Sequence, residues 1–119
     1  MIDTIKSARI RQLNDELRTM GRSLNGRIMA VGALGKEGPE KAGRVWEACA
    51  RITDWPKGDD PDGEHDFGKF EVDGENYVFK IYCYFKIDSS SVDEMNRSER
   101  PDDPNVTIRV LALMYAEDY

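Results

Sequence analysis

The pair Asp73-Gly74 constrains this chain more than any other feature, because it stands between two runs rich in β-forming residues, 67–72 and 77–86. Asp-Gly readily takes the two positive φ angles of a two-residue turn, so this stretch predicts a tight antiparallel hairpin. Alternation in the second run puts Tyr77, Phe79, Ile81, Cys83 and Phe85 on one face and Val78, Lys80, Tyr82, Tyr84 and Lys86 on the other. The second set is amphipathic rather than charged, which suits a partly covered face.

Other elements assemble around the hairpin. Ile10, Leu13, Leu17 and Met20 recur at helical spacing, with Asp3 or Thr4 placed to cap the start and Gly21 the end. Lys6, Arg9, Arg11, Arg18 and Arg22 fall on the opposite face of that helix. The short apolar run 27–32 reads as a strand. Gly38-Pro39-Glu40 opens a second helix carrying Ala42, Val45, Cys49 and Ile52 on one stripe. Residues 88–105 have no apolar period and predict a long mobile loop. Residues 106–116 predict a closing strand with Val106, Ile108, Val110, Ala112 and Met114 on one face. The expectation is one α+β domain over 1–119, in the order α-β-α-β-β-β. Its two helices pack on a mainly antiparallel four-stranded sheet.

A chain of 119 residues can bury enough surface to fold without metal or disulfide. Cys49 and Cys83 fall in different elements, form no C-x-x-C, and read as buried thiols. No apolar run approaches the roughly 18 residues of a membrane span, and the N-terminus lacks the layout of a signal peptide. The expected compartment is the cytoplasm, with no membrane contact. Net charge is −6, unevenly spread: residues 1–52 hold ten Lys or Arg and six Asp or Glu, residues 53–119 seven and seventeen. Such asymmetry fits an interaction surface, an assembly through opposite faces, or internal compensation.

The segment Asp59-Asp60-Pro61-Asp62-Gly63-Glu64-His65-Asp66 concentrates the chemistry, with the sole histidine among five carboxylates. If extended, it projects Asp60, Asp62, Glu64 and Asp66 to one side and His65 to the other. Four readings stay open. The segment is a polar turn into the hairpin. It is a partner-binding acidic surface of Asp60, Asp62, Glu64 and Asp66, with Asp102 and Asp103. It is a metal site of Asp62, Glu64, His65 and Asp66. Asp60, Asp62, Glu64, Asp66 and Glu71 do keep a calcium-loop register, but His65 takes the place the sharp turn reserves for Gly. Or it is catalytic, with His65 as general base beside Glu64 or Asp66. No nucleotide-binding glycine motif appears, and no cofactor is implied. Arg9, Arg11, Arg18 and Arg22 offer a nucleic-acid surface, against which stand the acidic balance and the lack of interleaved aromatics.

The string Gly63-Glu64-His65-Asp66-Phe67-Gly68 resembles a bacterial family of domains of unknown function. So do Asp102-Asp103-Pro104, Thr107, Arg109-Val110-Leu111, Met114 and Tyr119, and the opening Arg9-Ile10-Arg11-Gln12-Leu13-Asn14-Asp15. Its members are small proteins common on plasmids and other mobile elements. The second hairpin strand departs from the family pattern, lacking two carboxylates expected there. The resemblance implies no enzymatic activity to carry over. It implies the context of accessory proteins that block host defence or maintain plasmids. The combined expectation is a non-enzymatic protein-binding module, a candidate anti-CRISPR or anti-restriction inhibitor. Its partner would be a basic nuclease or CRISPR subunit. A metal-dependent hydrolase centred on Glu64, His65 and Asp66 is the alternative, and a homodimer through an exposed strand edge stays open.

Overall fold

The computed structural model describes residues 4–87 and 92–119. Three helices, α1 (Thr4–Met20), α2 (Gly32–Gly35) and α3 (Pro39–Ala50), accompany five strands. The strands are β1 (Gly26–Ala30), β2 (Phe67–Val72), β3 (Glu75–Lys86), β4 (Val92–Arg97) and β5 (Thr107–Tyr115), and a short 3₁₀ turn spans Ala116–Asp118. The α+β class is as expected. The short α2 is a helix beyond the two expected, and two features differ from the expected four-stranded, mainly antiparallel sheet.

The sheet is mixed and five-stranded, in the order β1-β5-β3-β2, with β4 also on β3. β1 runs parallel to β5, from Gly26 opposite Arg109 to Ala30 opposite Leu113. Parallel pairing needs a long crossover, and the chain between β1 and β5 supplies it. The second difference is β4, which lies inside the stretch expected to be a loop and joins β3 through a register shift at Tyr84/Phe85. Pairing with a neighbour can recruit a polar strand that has no apolar period of its own. Residues 88–91 of that loop, and the cap expected of Asp3, lie outside the described residues.

The hairpin forms as the sequence predicts. Asp73 and Gly74 take φ of 52° and 81°, and β2 pairs with β3 from Phe67 opposite Lys80 to Val72 opposite Glu75. Gly21, at φ 77°, ends α1, and Pro39 sits in the first turn of α3. All three helices lie over one face of the sheet. Leu17, Leu34, Val45 and Cys49 close on Tyr77, Phe79, Ile81, Leu111 and Leu113. Each of these large apolar side chains contributes roughly 1.5–3 kcal/mol by leaving water. In β5 the helical face therefore takes the odd-numbered residues, whereas the apolar set noted in the sequence lies on the reverse. There Phe67, Val78, Ala112 and Met114 form a smaller cluster, with Tyr119 tilted against Phe67 at 5.0 Å. No helix among the described residues is long and apolar enough to cross a membrane.

Candidate functional site

The segment 59–66 does not run extended. Amides of Asp59 and Asp60 bond back to the Pro56 carbonyl, and Gly63 N–H bonds to Asp60 O. Gly63 and His65 both take positive φ, 68° and 54°. For histidine that left-handed conformation is uncommon and persists only where surroundings hold it. The side chains accordingly point to different partners instead of forming the single acidic row expected from an extended chain.

Asp60 turns inward and is buried, its Oδ1 accepting the backbone N–H of His65 at 3.0 Å. The His65 ring stacks on Trp55 with centroids 3.9 Å apart and planes 6° from parallel. Its Nδ1 lies 2.9 Å from Oδ1 of Asp15, and its Nε2 lies 3.6 Å from Oδ2 of Asp60. Asp15 comes from α1 and also holds Arg18 at 3.1 Å. Arg18 is itself buried, and its Nη1 donates to the carbonyls of Cys49, Ala50 and Ile52 at the end of α3. Cys49 O also accepts the Ile52 N–H, and carbonyls at a helix end lack intrahelical partners, so a cation suits that end of the helix. Arg18 also lies 4.8 Å from the Trp55 ring centre. His65 thus joins α1, the turn and the segment that follows α3.

That arrangement bears directly on catalysis. A general base needs one ring nitrogen oriented and the other free to meet a substrate proton. Here both nitrogens face carboxylates, one ring face lies on Trp55, and the side chain is 17% exposed. Glu64 and Asp66, the partners considered from the sequence, face elsewhere: Ser7 Oγ lies 3.5 Å from Glu64, and Lys80 lies 3.3 Å from Asp66. Asp62 is exposed. The four residues considered for a metal therefore do not converge, and among the described residues no three His, Cys, Asp or Glu side chains are placed to hold an ion.

A second link fixes the turn to the sheet. Arg109 on β5 is 1% exposed, with its Nε donating to Asn14 Oδ1 at 2.6 Å and its Nη2 to the Pro101 carbonyl. Asn14 Nδ2 donates to the Glu64 carbonyl at 2.9 Å, and Arg11 donates to the Gly63 carbonyl at 3.0 Å. Burial holds the Arg109 pKa below its ordinary value. Arg11 and Arg18, two of the four arginines considered for nucleic acid, are therefore occupied inside the protein.

Two hollows flank the turn. One, of about 640 Å3, lies over the reverse sheet face among Asp59, Asp62, Asp66, Lys69, Lys80 and Tyr119. The other, of about 410 Å3, opens between α1 and residues 98–101, lined by Lys6, Ser7, Asp62, Glu64, Glu99 and Pro101. Burial, then the charges of Asp66 and Asp62, push the Glu64 pKa above its ordinary value. Asp102 and Asp103 are half-buried, the former 4.0 Å and the latter 3.8 Å from Arg100. Asp103 also accepts the Asn105 N–H at 2.9 Å, a local turn contact. Burial pushes the Cys49 thiol up to about 12 and raises that of Cys83.

A family model described as Protein of unknown function (DUF3768) matches residues 29–118. The chain belongs to this family. Nothing matches among the curated proteins or the solved structures. The span matched by the family runs from β1 to the 3₁₀ turn and includes the whole 59–66 segment. Asn14, Asp15 and Arg18 lie outside it on α1. Sequence reasoning missed these three as structural partners. Arg18, placed by the sequence on the face opposite the apolar stripe, is buried beside Ile10, Leu13 and Leu17 with Asn14, whereas Met20 of that stripe is exposed.

Proposed function

We propose that this protein is a non-enzymatic binding module whose acidic cleft between α1, the 62–64 turn and residues 98–101 receives a basic segment of a protein partner. The observation that carries the reading is the position of Glu64. Its carboxylate is half-buried beside Asp66, Asp62 and Asp60, and among the described residues it meets the Ser7 hydroxyl alone by hydrogen bond and forms no ion pair. Carboxylates crowded in this way favour a cation. A lysine or arginine entering the cleft would meet Asp62 and Glu64, with Glu99 and Lys6 at the rim, where Lys6 already donates to the Glu99 carbonyl. Asp60 takes no part in such a surface because it is buried against His65. Asp66 is engaged by Lys80, and Asp102 and Asp103 flank Arg100, so the contact narrows from the six carboxylates first considered to the cleft.

A partner whose cations ordinarily hold nucleic-acid phosphates, such as a subunit of a host defence nuclease, has the chemistry this cleft complements. The test is a quantitative pull-down from host lysate with the wild type and with Asp62→Asn/Glu64→Gln, both checked for folding by circular dichroism. A basic protein captured by the wild type, lost by the double variant and released as salt rises supports the reading. Equal capture by both forms, or a complex indifferent to salt, overturns it.

A further inference from the structure

The reverse face of the sheet carries a second surface, independent of the acidic cleft. No helix covers it. Register places Arg27 of β1 beside Val110 of β5, and Val110 beside Tyr82 of β3. Arg97 of β4 pairs with Tyr84, the next residue of β3 on that face, and its guanidinium lies 5.5 Å over the Tyr82 ring. Tyr82 and Tyr84 stand half-buried with ring centroids 6.2 Å apart and planes 15° from parallel. An aromatic pair is thus flanked across the sheet by a cation at each side, with Lys86 further along β3.

The charges of this band separate it from the rest of the molecule. Arg27, Lys86 and Arg97 enter no ion pair among the described residues, while Lys69 and Lys80 are held at 3.3 Å by Asp59 and Asp66. Among strand residues of this face whose side chains are described, the carboxylate is Glu71, which sits opposite Asn76, at the far end of β3 from Tyr84. Although the chain carries a net charge of −6, the described charged side chains of this band, Arg27, Lys86 and Arg97, are all cations. Two stacked phenols with unneutralised cations at either side fit a ligand that alternates flat rings with negative charges. Single-stranded nucleic acid has that pattern: bases stack on aromatic side chains whatever their identity, and cations track the phosphates. A duplex hides its base faces and offers the two tyrosines nothing to stack on.

We propose that the Arg27–Tyr82–Tyr84–Arg97 band binds single-stranded nucleic acid with little sequence preference, one or two bases lying on the tyrosines. The test is fluorescence anisotropy of the full chain with labelled oligo-dT, oligo-U and a duplex of equal length, across a salt series. The expected result is tighter binding of the single strands than of the duplex. Tyr84→Ala should weaken binding by about tenfold, the effect of losing one stacked base. Arg97→Gln, a change at an exposed side chain, should flatten the log–log salt slope by about 0.7, the value for one phosphate contact on a single strand. Should Tyr84→Ala fail to fold, Arg97→Gln decides alone. Absence of binding, equal binding of duplex and single strand, or an unchanged salt slope in Arg97→Gln overturns the proposal.

Discussion

Replacing Asn14 by alanine cuts the link through which α1 holds both the turn and the sheet. Asn14 Oδ1 receives Nε of the buried Arg109 at 2.6 Å, and its Nδ2 satisfies the Glu64 carbonyl at 2.9 Å. The first bond involves a charged donor and is worth roughly 1.5–3 kcal/mol, the second about 0.5–1.5 kcal/mol. Arg109 cannot recover the loss from water, since it is 1% exposed and Asn14 itself is 1% exposed. The expected destabilisation is therefore about 3 kcal/mol, a large share of the roughly 5–15 kcal/mol that holds a domain together. In urea, with a slope of about 1.5 kcal/mol per M, the unfolding midpoint should fall by about 2 M. Gln12→Ala serves as the control, because Gln12 is exposed and its hydrogen bond to Arg9 is local. That variant should stay within about 0.5 kcal/mol of the wild type. A midpoint for Asn14→Ala as close as that would falsify the reasoning. It would mean that the buried guanidinium finds another acceptor without cost.

Glu64→Gln should stabilise the protein at neutral pH. The folded-state pKa of Glu64 is raised, so its ionised form costs stability above that value, and the cost disappears below the ordinary carboxylate pKa. The gap in melting temperature between variant and wild type should therefore close as pH falls through the interval between the two values. A constant gap, or a less stable variant at pH 7, would refute this. Gly68→Ala should destabilise by about 1–3 kcal/mol, as overpacking of a filled core does. The added Cβ would lie 2.6 Å from Cε1 of the fully buried Phe79 ring. Chemical denaturation reads the loss, and an unchanged midpoint would show that the ring has room to move.

Much of the frame was legible because it rests on local rules. Asp73-Gly74 announces its turn, Gly38-Pro39 opens α3, and the alternation assigns Tyr77, Phe79 and Ile81 to the helix-covered face of β3 correctly, although Phe85 at the end of that set is exposed. The pairing of β1 with β5 was not legible, since a parallel partner depends on what lies far along the chain and leaves no short-range mark. β4 was missed because its strand character comes from pairing with β3 and not from an apolar pattern. The 59–66 segment stood out correctly by composition, but its geometry did not follow. The positive φ of Gly63 and His65 turns alternate side chains away from one another. The partners of His65 and of the Glu64 carbonyl come from α1, some 50 residues earlier. Spacing within a motif says nothing about a residue that meets it across the fold.

The parallel pairing of β1 with β5 also governs the order in which this protein can be made. β1 leaves the ribosome early, but the strand that receives it follows roughly 80 residues later, an interval of about 4–16 s at ordinary rates of synthesis. The β2–β3 hairpin, whose partners are adjacent, can close in the meantime. β1 must wait, with Ile28 and Met29 unpaired, until β5 slides between it and β3. During that interval the nascent chain carries a strand without its partner, and that is a stage at which a chaperone would have something to hold.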